Sequence, residues 1–297
     1  MLAIAAVAAA FRILAAFYGS TSAEAALATA LRFPWPAGAR ARGIVALGTS
    51  APSVSRKLRT AQERSLHHEV EAARRLIAER WPQAEVVERN QAPVKAILAE
   101  ARRYDADALV LGWRGHGAFR RLLAGSVSRE VVRQAEAAVL VARTAPRAVR
   151  CLVVGFDASP GARRALRFVS RLEASRGILL VLASVVEPFT VVPPRRLPAS
   201  IRATLRHETA RLERERTGVA RHKTEAAAEL LERSGWRVKI DLRHTAPLEG
   251  LLEAAGEREG SVLIVGRTGT RQLPASLEGS VAQGVLNNAR VPVLIVP

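Results

Sequence analysis

The sequence is poor in cysteine, aromatic residues and lysine. Among its 297 residues there is one cysteine, Cys151, which excludes an intrachain disulfide framework and a zinc site built on several thiolates. A reducing, cytoplasmic setting is the expectation. Aromatic residues make up 4%, so the core must come from Ala, Val, Leu and Ile, and base stacking on single strands has few platforms. The longest run without a charge, Gly43–Ser55, has 13 residues and is too short to span a bilayer. Residues 1–18 are apolar apart from Arg12, but no positive segment precedes the apolar run. Residues 1–10 are therefore read as an extension outside the domains.

Several catalytic spellings are also missing. No glycine is followed by lysine, so there is no P-loop; Gly115-His116-Gly117 opens a dinucleotide fingerprint, but Arg120 stands in the third glycine's place. No HExxH and no GxSxG occurs. A non-enzymatic protein without catalytic residues is expected.

What the chain has in excess is arginine. With 45 Lys+Arg against 27 Asp+Glu the net charge is +18 and the pI about 11.5. Only Lys57, Lys95, Lys223 and Lys239 are lysine. The excess is +11 over residues 1–150 and +7 over the remainder, so it is not a basic tail. Such a surface favours polyanions in general.

The chain repeats itself. Residues 109–126 read LVLGWRGHGAFRRLLAGS and residues 263–280 read LIVGRTGTRQLPASLEGS. Both hold Gly-x2-Gly-x9-Gly-Ser, as Gly112, Gly115, Gly125, Ser126 and as Gly266, Gly269, Gly279, Ser280. The offset is 154 here, but 139 where RCLVVGFDASPGARRAL (150–166) aligns with the first half, setting Asp157 opposite Tyr18 and Ser159 opposite Ser20. About 15 extra residues therefore fall between these landmarks in the second half, and the proline-rich stretch 187–200 is the expected place.

Short β-rich runs alternate with helical stretches in each half, which argues for βαβ units and a parallel sheet. Strands are expected at Ile13–Phe17, Gly43–Leu47, Glu85–Glu88, Leu109–Leu111 and Val139–Ala142, then at Cys151–Phe156, Ile178–Val186, Arg237–Leu242, Val262–Val265 and Val291–Val296. The second-half helices are read at Pro160–Glu173, Ile201–Ser234, Leu248–Glu259 and Ser280–Asn288. The fold class is α/β, with two tandem open five-stranded parallel-sheet domains at residues 11–146 and 147–297.

Ligands of open parallel sheets bind beyond the carboxyl ends of the strands, where the glycine loops fall. Glycines let the backbone approach a ligand closely, and Gly-Ser opening a helix offers free N–H groups to an anion. A phosphate chain suits this arrangement. Competing structural readings are helix–sheet packing for the glycines and helix N-capping for Asp157, Ser126 and Ser280.

With Gly-x2-Gly-x9-Gly-Ser after the fourth strand and Asp157-Ala158-Ser159 after a first strand, the chain resembles the universal stress protein family in tandem form, over about residues 11–297. The resemblance implies a Rossmann-like five-stranded domain pairing through its last strand, with ATP held between the aspartate turn and the glycine loop. It implies Asp157 at the adenosine, Gly266 and Gly269 at the ribose and first phosphate, and Gly279, Ser280 and Val281 at the distal phosphates. In the first half Gly112, Gly115, Gly125, Ser126, Val127 and Ser128 match the phosphate loop, whereas Tyr18 replaces the aspartate. Mg²⁺ would be held mostly by phosphates and water, and any ATP hydrolysis would be slow.

The leading expectation is a cytoplasmic ATP-binding protein of stress response, its two repeats paired as a pseudo-dimer and two chains open to association as a homodimer. The rival is a nucleotide-free tandem scaffold for protein–protein interaction. Charge-driven binding to a membrane surface or nucleic acid ranks last.

Overall fold

In the computed structural model, the residues described are 10–17, 20–46, 68, 70–113, 125–188, 198–269 and 279–297. Two compact units emerge, one of residues 1–148 with 171–173 and Pro297, the other of residues 149–170 and 174–296.

The first unit holds strands β1 (Arg12–Phe17), β2 (Arg40–Ala46), β3 (Glu85–Arg89), β4 (Ala108–Gly112) and β5 (Ala138–Ala142). Its helices are α1 (Thr21–Arg32), α2 (described over 70–78), α3 (Pro93–Tyr104) and α4 (Ser126–Gln134). The strand order is β3-β2-β1-β4-β5, and all four of its ladders are parallel.

The second unit repeats the plan with β6 (Cys151–Gly155), β7 (Leu179–Val185), β8 (Val238–Arg243), β9 (Ser261–Gly266) and β10 (Val293–Val296). Its helices are α5 (Pro160–Ser170), α6 (Ala199–Arg233), α7 (Pro247–Gly256) and α8 (Ser280–Asn288). The order β10-β9-β6-β7-β8 is the same topology, again parallel. All ten expected strands are present, with ends shifted by no more than a few residues.

Composition explains the layering. The central strands β4, β6 and β9 are made mostly of Ala, Val, Leu and Ile; β6 is buried throughout and β4 and β9 up to their last glycine, as strands covered by helices on both faces should be. In contrast β3, EVVER, and β8, VKIDLR, intersperse charges and end their sheets, where charge protects an exposed edge. In the second unit α5 packs beside α6 and α7 beside α8, the arrangement of a doubly wound sheet. Pro93 and Pro247, 154 residues apart, each open a helix where a missing N–H costs nothing. Arg80 Nη1 donates to the carbonyls of Ala30, Leu31 and Phe33 at 3.3, 2.9 and 2.7 Å, closing the carboxyl end of α1.

Cys151 sits in the core, where burial pushes its thiol up to about 11. In α6 the mixed charges form short-range pairs, Arg211 with Glu208 at 2.8 Å and with Glu215 at 3.5 Å.

Among the described residues, each unit carries an ion cluster at its β-edge. Glu100, whose side chain is fully buried, meets Arg42 at 3.1 Å, Arg89 at 2.5 Å and Arg103 at 3.0 Å. Asp241 meets Arg243 at 3.0 Å and Arg258 at 2.8 Å. Replacing Glu100 by Ala strands those guanidiniums around a void, and is expected to cost roughly 3 kcal/mol in urea unfolding. For Asp241, burial acts to raise the carboxyl, but hydrogen bonds from Arg243 and Arg258 prevail and hold it below its ordinary range. A depressed carboxyl stabilises the fold above its unfolded pKa, and that contribution is lost as pH falls through the folded value. Asp241→Asn is therefore expected to flatten the fall in melting temperature below about pH 4, checked by thermal unfolding across pH.

Candidate functional site

The order β10-β9-β6-β7-β8 makes its topological switch between β6 and β9, and the crevice outside their carboxyl ends is where open α/β sheets take ligands. Asp157, exposed, follows β6 after buried Phe156. Its Oδ1 accepts from Ser159 N at 2.9 Å, and the tight turn between them puts Ala158 at φ +61°. A non-glycine residue there is uncommon and marks a constrained turn. Ser159 Oγ accepts from Ala162 N at 3.1 Å, so Ser159 caps α5. The N-cap reading of Asp157 is thereby corrected: the capping side chain is that of Ser159, two residues on.

Gly266 ends β9 against the first turn of α5. A Cβ built on it would lie 2.4 Å from the Gly161 carbonyl carbon, and one on Gly161 would lie 1.8 Å from Thr268 O. Packing alone therefore demands both glycines. Sequence reasoning missed Gly161, although a glycine in a helix's first turn, at about 1 kcal/mol worse than Ala, was the available signal. It also missed Arg164, whose Nη2 donates to Thr268 Oγ1 at 2.8 Å and holds the loop leaving β9.

Gly269 lies beside the carboxylate: a Cβ there would be 3.7 Å from Asp157 Oδ2. Gly279 N donates to Arg267 O at 2.8 Å, and a Cβ on Gly279 would be 3.3 Å from Gly269 N. The structure thus gathers Asp157, Gly266, Gly269 and Gly279 around the ends of β6 and β9, with Ser280 and Val281 next in the first turn of α8. The cap of α8 is Gly279, with no side-chain bond, and Ser280 is already helical. The expected capping role of Ser280 is corrected, because a residue inside the first turn cannot fold its hydroxyl back onto N2 or N3.

In the first unit the same framework recurs. A Cβ on Gly112 would lie 2.5 Å from Ala23 N, and Ser20 Oγ accepts from Ala23 N at 3.1 Å, capping α1. Ser128 Oγ donates to Gly112 O at 2.5 Å. Gly125, not Ser126, is the cap of α4, at φ +82°, with Ser126 and Val127 in the first turn. Above Gly125 lies Trp113, buried, its ring atoms 2.9 Å from where a Cβ would stand. The Arg143 guanidinium stacks on that ring at 4.1 Å. Tyr18 and Gly115 lie outside the described residues.

Chemically, the second crevice offers one carboxylate, backbone N–H groups at an uncapped helix start and the nearby guanidinium of Arg164. That set can hold an anion and accept hydrogen bonds from a hydroxyl or amine. Among the described residues no three His, Cys, Asp or Glu side chains gather as a metal site, and no helix is long and apolar enough to cross a membrane. Among the described residues, a cavity of about 200 Å³ lies by Arg102 and Glu136, and a groove of about 540 Å³ by Arg214, Arg221 and His244.

The packing account separates two glycines that the motif treats alike. Gly266→Ala is expected to cost about 1–3 kcal/mol by overpacking, whereas Gly269→Ala stays within about 0.5 kcal/mol. Urea unfolding of both variants checks this; equal stabilities would remove the account.

The Universal stress protein family model matches twice, over residues 10–143 and 149–297. A Mycobacterium tuberculosis universal stress protein, Rv1996, is 29% identical over 198 residues, 63% of this chain and 57% of that protein. The match thus spans little more than half the length of that relative. One from Mycolicibacterium smegmatis is 28% identical over 250 residues, 79% of this chain and 78% of the other. Among solved structures, a universal stress protein from Archaeoglobus fulgidus aligns over 96% of this chain and 97% of its own, with TM-score 0.64 and 17% identity. That likeness bears on the fold.

Proposed function

Since the chain belongs to the universal stress protein family, matched across both halves, we propose that it binds an adenine nucleotide, ATP with or without Mg²⁺, in stress response. The observation that carries the reading is the meeting of Asp157, Gly269 and the uncapped start of α8 at the switch point of the second unit. Asp157 is the group for the adenosine moiety, Gly269 for the first phosphate, and Gly279, Ser280 and Val281 for the distal phosphates. Gly266 supports the site by admitting α5, and contacts ligand at most through its backbone. The functional domains are residues 11–146 and 147–297, acting in the cytoplasm.

Binding is assigned to the second unit first. In the first unit Gly112, Gly115, Gly125, Ser126, Val127 and Ser128 keep the phosphate-loop pattern, but Tyr18 stands in the aspartate's position and Trp113 lies against the helix start. Turnover is read as slow, because hydrolysis needs a positioned water and a charge-stabilising group and the sequence names neither. The last strands, AVLVA and VLIV, carry none of the charge that protects an edge, which supports pairing of the repeats through them.

Calorimetric titration of the purified chain with ATP and Mg²⁺ tests this. One site per chain is expected, weakened by about 10- to 100-fold in Asp157→Ala, the scale of a lost charge-assisted hydrogen bond. Two equal sites would show that the glycine loop suffices. No heat and no thermal shift at millimolar ATP would leave the nucleotide-free scaffold.

A further inference from the structure

Helix α6 has 35 residues, and those it buries, Thr224, Ala227, Ala228 and Leu231, fall in its last third. The three turns before them line the groove of about 540 Å³, together with His244, which follows β8. A groove of that volume is on the scale of a small-molecule site. Its lining differs from an ordinary helix face in three ways.

The first is Gly218. After proline, glycine is the poorest helix former, yet Gly218 sits in the middle of α6 and lines the groove. A Cβ built on it would meet nothing within 4 Å, so packing does not demand it. The second is Thr217. Elsewhere on α6 the hydroxyls of Thr204, Thr209 and Thr224 donate to the carbonyl four residues earlier, at 3.1, 2.8 and 2.7 Å. Thr217, half-buried in the groove, makes no such bond among the described residues. The third is the cations. Arg211 and Arg233 pair with Glu208 and Glu229 on their own helix, at 2.8 and 3.6 Å. In the groove Arg214 bonds only through Nε, to Ala210 O at 3.2 Å. The side chains of Arg221 and His244 have no partner among the described residues.

Two guanidiniums, an imidazole and a hydroxyl are the donors that recognise phosphoryl oxygens. Arg214 and Arg221 are two turns apart, about 10.5 Å along the axis. A chain of phosphoryl groups therefore suits the spacing better than a single one. Glu213, the one carboxylate of the lining, stands on the margin away from Gly218. It keeps an anion on the Arg214, Gly218 and Arg221 side. A side chain at position 218 would occupy that path.

We infer that this groove is a site for a small polyphosphate anion, free or as the phosphate chain of a nucleotide. Arg214, Arg221 and His244 hold it, Thr217 donates to it, and Gly218 lets it lie against the helix. The groove shares no residue with the crevice of Asp157, so the inference does not rest on that crevice taking ATP.

Calorimetric titration of the full chain with inorganic tripolyphosphate at physiological salt tests it. Binding is expected, weakened about 10- to 100-fold in Arg221→Ala, the scale of a lost charge-assisted hydrogen bond. Arg214→Ala with Arg221→Ala should abolish it. Arg216→Ala with Lys223→Ala removes the same charge from the opposite face of α6 and should bind as the wild type does. Gly218→Leu should lose binding while raising the melting temperature, because leucine favours a helix and the position is open. Tripolyphosphate heat lost in the groove pair assigns a free phosphate chain. ATP heat that survives Asp157→Ala but not the groove pair, without tripolyphosphate heat, assigns a nucleotide. If ATP heat is lost only in Asp157→Ala and tripolyphosphate gives none, the crevice stands and the groove site is overturned. An equal loss in the control pair reduces the effect to diffuse charge and also overturns it. Undiminished binding in Gly218→Leu overturns the path over the glycine.

Discussion

Each unit depends on one close approach of two backbones. The last residue of the fourth strand must let the first helix start almost on top of it: Gly112 beneath Ser22 and Ala23, Gly266 beneath Gly161. A side chain at either glycine would push the helix away and open the crevice between the first and fourth strands. That crevice is the switch point, so the contact that closes the fold also sets how near Asp157 comes to Gly269. Ser20 and Ser159 secure it from the other side by capping the helices at that turn, each at 3.1 Å from the N–H three residues on.

This explains why much of the fold was legible in the sequence. The repeat offset fixes equivalent strands, and short β-branched runs such as LVVG and VLIV, bounded by turn residues, read as buried parallel strands. Ser20 and Ser159, aligned by sequence, proved to do the same work. What could not be read is which job a motif glycine has. Gly266 and Gly269 are three residues apart with the same letter, yet one is filled by helix backbone and the other faces a carboxylate. Spacing carries no information on what occupies the missing Cβ. Capping was misread for a related reason: Asp157 and Ser159 both favour N-caps, and only the turn through Ala158 at φ +61° decides between them.

The reach of α6 was likewise only partly visible. Its helical pattern was clear from Ile201 to Ser234, and the extra length of the second half was assigned to the prolines before it, residues 189–197 of which lie outside the described region. Exposure, which no sequence prints, is what separates Leu212 from Leu231.

One of the positions at which the two units differ bears directly on the helix start. The position after the strand-ending glycine is Trp113 in the first and Arg267 in the second, and both backbones make the same ladder bond, to Ala142 O at 2.9 Å and to Val296 O at 2.6 Å. The difference lies in what their surroundings demand of the helix cap. With an indole against it, Gly125 takes φ +82°, a conformation that favours glycine, and the ring fills the space beside the helix start. Without one, Gly279 stays extended at φ −67°, and the nearest atom to its missing Cβ is the backbone N of Gly269. An identical Gly-Ser spelling thus produces a helix start packed by an aromatic ring in one unit and lined by backbone N–H in the other. Together with Tyr18 opposite Asp157, this makes the asymmetry a property of two independent positions, which is why the second unit is the one to which binding is assigned.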